Sequence, residues 1–98
     1  MVVGVWYGSR GMKDLEKVYR ALGNSRRLLM IQLLIRKGEM PVVDMAKALR
    51  LSYRATSKHA NILATAAVLD REQRKGYAYY RVADDPPQAV RFAVKLLS

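Results

Sequence analysis

Ninety-eight residues, 51% of them hydrophobic, suit one domain with a real core, small enough that a partner subunit would help bury surface. Cysteine is absent, which excludes disulfides, thiolate metal ligands and thiol redox sensing and leaves a cytoplasmic location as the default. Eighteen Lys and Arg against eight Asp and Glu give a formal charge of +10, an excess that points to a polyanion, with nucleic acid ahead of an anionic membrane surface.

Residues 1–12 read as an N-terminal extension or arm, in which Trp6 and Tyr7 could grip a second subunit. MVVGVWYGSRG has no basic head before its apolar stretch, as a signal peptide would require. Residues 13–98 read as the domain proper, and no apolar run in the chain nears the roughly 20 residues of a membrane span. A first helix, Lys13 to Leu22, carries Leu15, Val18, Tyr19 and Leu22 on one stripe. Gly23-Asn24 breaks it, and Asn24 suits the cap of a second helix, Ser25 to Lys37. That helix is apolar nearly all round apart from Gln32, as a central helix is. Lys37-Gly38 ends it with a cation at the dipole's negative end and a C′ glycine. A third helix, about Val42 to Leu49, turns at Arg50-Leu51 into LSYRATSKHANIL, with Ser52 as cap of a fourth helix over about 53–66. Two short helices joined by a tight turn make a helix-turn-helix.

Two strands follow, Val68 to Gln73 and Tyr77 to Val82, around Arg74-Lys75-Gly76. The alternation in the second and the glycine predict a basic-tipped hairpin, or wing. Asp84-Asp85-Pro86-Pro87 then opens a last helix to Leu97, with Asp85 suited to its N-cap. Its apolar arc is too broad for one contact. Ala89, Phe92, Ala93 and Leu96 make one stripe; Val90, Ala93, Val94 and Leu97 make a second. Such a helix packs on its own domain and on a second subunit, and Leu15, Val18, Tyr19, Val90, Ala93, Val94 and Leu97 are the expected dimer contacts. The fold class is mainly α with a small β-hairpin: a winged helix-turn-helix of about five helices plus a two-stranded wing.

At about 100° per residue the fourth helix splits in two. Tyr53, Arg54, Ser57, Lys58 and Asn61 share one arc; Thr56, His59, Ala60 and Leu63 share the other. No acid occurs between Asp44 and Asp70, while Arg50 to Arg81 holds seven Lys/Arg against Asp70 and Glu72. A carboxylate on that arc would be pushed against phosphate. In the major groove Arg suits guanine O6/N7, Asn suits adenine N6/N7, and Ser serves either. The predicted DNA-binding residues are therefore Tyr53, Arg54, Ser57, Lys58 and Asn61, with Arg71, Arg74 and Lys75 on the wing. His59, the only histidine, reads as packing and hydrogen bonding. No other His or Cys completes a first-row metal site. The chain also lacks a nucleophile–base pair, a glycine-rich phosphate loop and a convincing carboxylate pair, so neither an enzyme nor a cofactor is expected.

YRALGNSRRLLMIQLL, LSYRATSKHANIL and GYAYYRV, in this order and spacing, resemble the ArsR/SmtB family of winged-helix transcriptional repressors over about Val18 to Val82. Ser52, Ser57, Lys58, His59 and Leu63 carry the match in the recognition helix, and Tyr79-Tyr80 carries it in the wing. The resemblance implies a homodimer built on the first and last helices, reading a palindromic operator in double-stranded DNA. Many members release DNA when a metal binds. Here Pro41 and Val43 stand where the family's metal loop has thiols, and only Asp84 and Asp85 lie near the start of the last helix. Metal sensing by either arrangement is therefore not expected. Ala67 replaces a common glycine at the end of the recognition helix, and the wing turn looks short. The alternative use of such a module is contact with a protein or a structured RNA, because fold alone does not fix function.

Overall fold

The computed structural model describes residues 9–98. The elements run α1 (Ser9–Leu22), α2 (Ser25–Lys37), β1 (Glu39–Pro41), α3 (Val42–Leu49), α4 (Tyr53–Thr65), β2 (Leu69–Arg74), β3 (Tyr77–Val82) and α5 (Gln88–Leu97). As its nearly all-round apolarity predicts, α2 lies at the centre, with Met30, Ile31, Leu33 and Leu34 buried. Val18 and Ala21 of α1, Val42 and Met45 of α3, Ala60 and Leu63 of α4, Leu69, Tyr80 and Val90 close around it. The strands form one antiparallel sheet in the order β1-β3-β2.

Local chemistry sets the boundaries. Asn24 caps α2 by accepting from the Arg27 amide, and Gly38, at φ 88°, sends its N–H back to the Leu34 carbonyl. Arg50 adopts the left-handed conformation at the end of α3. Ser52 then caps α4, its Oγ accepting from the Ala55 amide at 3.0 Å. Lys75 and Gly76 both have positive φ, the requirement of a two-residue type I′ hairpin turn. The wing turn is thus as short as the sequence suggests, and Arg74 belongs to the strand.

Ala67 is left-handed too, at φ 63°, a conformation that costs a residue with a Cβ about 1–2 kcal/mol. Glycine would relieve that strain but add freedom to the unfolded chain. Ala67→Gly is expected to stabilise the protein by about 0.5–1 kcal/mol net. Thermal unfolding checks this; an unchanged or lower midpoint counts against strain at Ala67.

Four features depart from the sequence reading. First, α1 begins at Ser9 rather than Lys13, so residues 9–12 are helical. Gly11 lies within this helix, where one glycine costs only about 1 kcal/mol against alanine. Trp6 and Tyr7 lie outside the described residues. Second, β1 adds a third strand to the wing sheet; three residues are too few to show a period of two. Third, Asp85 does not cap α5. The helix starts after Pro87, and Asp85 instead pairs with Arg91. Fourth, the two stripes of α5 divide differently: Val90 is fully buried in the chain's own core, with Val94 and Leu97 packed against it. Phe92 and Leu96 face outward, 67% and 71% exposed.

Candidate nucleic-acid interface

Helix α4 is held from below. Thr56, Ala60 and Leu63 are buried, and the Thr56 hydroxyl, a polar group with no access to water, donates to the Ser52 carbonyl at 2.8 Å. That leaves Tyr53, Arg54, Lys58 and Asn61 exposed and Ser57 half-buried. All five line one open groove along the helix, as the 3.6-residue period requires. Lys17 of α1 lines the same groove. Sequence reading places it only on a polar helix face, since the α1–α4 packing that brings it there is tertiary.

The wing residues have separate surroundings. In the sheet register Glu39 faces Arg81, which in turn faces Asp70. Arg81 lies within 4.0 Å of carboxylate oxygens of Glu39, Asp70, Glu72 and Asp84. Arg74 is drawn into this cluster: it pairs with Glu39, approaches Glu72, and lies 4.0 Å over the Tyr79 ring. Of the predicted phosphate ligands, then, Arg74 is committed to the protein's own carboxylates. Arg71 lies on the opposite face, bonded to the Tyr80 hydroxyl at 3.2 Å and to Gln73 at 2.8 Å. Lys75 is exposed at the tip. The gathering of acids around Arg74 and Arg81 leaves Arg54, Lys58, Arg71 and Lys75 with no carboxylate partner among the described residues.

His59 is structural, as expected. Its Nδ1 lies 3.2 Å from the Arg27 Nη1. A guanidinium can only donate, so Nδ1 is the acceptor and the ring is neutral with its proton on Nε2. Arg27 also donates to the Ala21 carbonyl at 2.7 Å and the Arg20 carbonyl at 3.1 Å, joining the end of α1 to α4. Desolvation, then the charges of Arg27, Arg26 and Lys58, hold the His59 pKa below its ordinary 6.5. The unfolded chain therefore takes up this proton first. The stability contributed by neutral His59 is complete above about pH 6.5 and declines as pH falls below that value. Denaturant midpoints for the wild type and His59→Gln between pH 7.5 and 5.5 check this, the variant being expected to lose much of the decline.

The expected dimer residues are also sorted by the structure. Val18 and Val90 have almost no surface left to give to a partner. Leu15, Ala93, Val94 and Leu97 are half-buried, and Tyr19 is 60% exposed. The outward apolar surface on α1 and α5 is Tyr19, Phe92 and Leu96, with Met12 nearby in sequence on α1. Tyr19, Phe92, Ala93 and Leu96 line one shallow depression between the two helices.

Helix, tight turn, exposed polar helix face and short hairpin define a winged helix-turn-helix protein. No protein-family model matches the chain. Over 79 residues it is 35% identical to the arsenic resistance transcriptional regulator ArsR1 of Pseudomonas putida, covering 80% of this chain and 61% of that protein. Its fold is similar to the homodimeric winged helix-turn-helix DNA-binding domain Mb0332 of Mycobacterium bovis, with TM-score 0.74 and 26% identity over 88% of this chain and 76% of the other. It is also similar to the antimony-specific transcriptional repressor AntR, with TM-score 0.72 and 25% identity over 91% and 78% of the two chains. The chain thus has a winged helix-turn-helix fold and is similar to regulators of the ArsR family. Among the described residues no helix is long and apolar enough to cross a membrane, and no three His, Cys, Asp or Glu side chains gather as a metal site.

Proposed function

We propose that this protein is a sequence-specific transcriptional regulator of double-stranded DNA, a homodimeric repressor that reads a palindromic operator with α4 and steadies itself with the wing. It acts in the cytoplasm as a binding protein rather than an enzyme. The observation that carries this reading is the exposed face of α4, where Arg54 and Asn61 present base-reading chemistry beside cations with no carboxylate partner among the described residues. Helix α4 is packed on one side and leaves its polar side open, and an α-helix is an element that a major groove admits. Tyr19, Phe92 and Leu96 supply an apolar surface suited to a twofold α1–α5 contact, and the homodimeric state of Mb0332 supports that assembly. The repressor sense is supported by AntR, which is a repressor. With no cysteine in the chain, any effector is sensed by something other than thiolate–metal bonding.

Selection of bound sequences from random duplexes tests the reading: a recovered palindrome supports it, and an unenriched pool counts against it. Binding should weaken steeply with salt, each neutralised phosphate contributing about −0.9 to the slope of log affinity on log salt. Lys75→Ala removes a tip cation with no base to read. It is expected to weaken selected and random duplexes equally and to reduce the salt slope by about one unit. Anisotropy titrations over a salt series check this; a loss confined to the selected duplex would instead assign Lys75 to base or minor-groove readout.

A further inference from the structure

The Tyr80 hydroxyl joins the recognition helix to the wing. Tyr80 is 1% exposed, faces Arg71 in the β2–β3 register, and has its ring in the core. Its hydroxyl donates to the Asn61 Oδ1 at 2.6 Å and accepts from the Arg71 Nε at 3.2 Å. A cationic donor on one side of a phenol strengthens the bond its proton makes on the other. The chain from Arg71 through Tyr80 to Asn61 therefore runs in one direction, and Asn61 cannot flip its amide without losing it.

Resting on the reading of α4 as a duplex reader, the geometry points to Tyr80 as a specificity-determining positioning residue. It holds the Asn61 Oδ1 toward the protein and leaves the Nδ2 hydrogens as the group offered to the groove. An asparagine free to use both atoms pairs with adenine, donating to N7 and accepting from N6. The amide oxygen has a second lone pair, but with one taken by Tyr80 and the oxygen turned toward the protein, what Asn61 offers the groove is chiefly a donor. Guanine presents two acceptors, N7 and O6, whereas adenine presents N7 beside a donor that then lacks a partner. Asn61 of this protein thus favours guanine over adenine, and the buried tyrosine sets that preference.

The test is duplex selection with the full chain as wild type, Tyr80→Phe, Asn61→Ala and the double variant. At the base pair where Asn61→Ala erases the preference, the wild type is expected to select guanine. Tyr80→Phe should lower the guanine-to-adenine ratio there at least fivefold, with other positions unchanged and random-duplex affinity within twofold. In the Asn61→Ala background Tyr80→Phe should change nothing further. An unchanged ratio in Tyr80→Phe, an adenine preference in the wild type, or equal loss at every position overturns the inference while leaving DNA recognition intact. A wild type that enriches no sequence overturns the reading beneath it instead. If Tyr80→Phe does not fold, proton NMR of the free wild type decides. A slowly exchanging Tyr80 hydroxyl proton close to the Asn61 amide supports the inference, and a rapidly exchanging one refutes it.

Discussion

Alanine at Arg54 is expected to weaken binding to the selected duplex by about 1–3 kcal/mol, roughly 5- to 150-fold, the range of a good bidentate base contact. Arg54 lies in the first turn of α4, exposed and with no carboxylate partner among the described residues. Its fork is therefore free for guanine O6 and N7. On random duplexes the same variant removes only one cation, so the loss there should be a small fraction of the specific one. Arg54→Lys separates the two contributions. It keeps the charge but not the planar fork, so random binding should be retained while most of the sequence preference disappears. Anisotropy titrations on selected and scrambled duplexes read both. Equal losses on the two duplexes for Arg54→Ala would remove Arg54 from base readout and leave it a phosphate ligand.

The second large effect is on stability. Arg27→Met keeps the aliphatic stem but removes the guanidinium that bonds the Ala21 and Arg20 carbonyls and His59. The last carbonyls of a helix have no partner within it, so these two bonds supply what α1 itself cannot. Hydrogen bonds to charged groups contribute about 1.5–3 kcal/mol each when well made. These are only partly buried and share one side chain, so a total cost of about 2–3 kcal/mol is expected rather than their sum. The loss should appear as a lower urea midpoint with an unchanged m-value. Duplex affinity should fall with it, because His59 belongs to the recognition helix. A midpoint within experimental error of wild type would reduce the Arg27 cluster to a surface contact.

Features that repeat along the chain or depend on near neighbours are legible before any fold is known. The periodicity of Leu15, Val18 and Tyr19 reveals a helix, although its start at Ser9 lies ahead of that stripe. The caps at Asn24 and Ser52 are bonds spanning three residues and are legible as such. The polar arc of α4 is legible because any straight helix with these residues has it; which arc faces out follows from the burial of Thr56, Ala60 and Leu63. The short turn at Lys75-Gly76 was equally open to local reasoning; the bond from Arg27 that keeps His59 neutral, spanning 32 residues, was not.

Contacts across the chain are fixed only when the elements pack. Nothing local shows that Glu39, through a three-residue strand, reaches Arg74 and Arg81 and withdraws them from the free positive charge. Periodicity finds two apolar stripes on α5 but cannot rank them; the core takes Val90, Val94 and Leu97, leaving Phe92 and Leu96 outside. Spacing places Asn61 on the reading face, but its tie to Tyr80, nineteen residues on, exists only once the hairpin packs beneath the helix. The physical reason is common to all three. Helical period, caps and turn chemistry are set by bonds within a few residues, whereas the partner of a charge, a stripe or an amide is set by whichever distant surface excludes water from it.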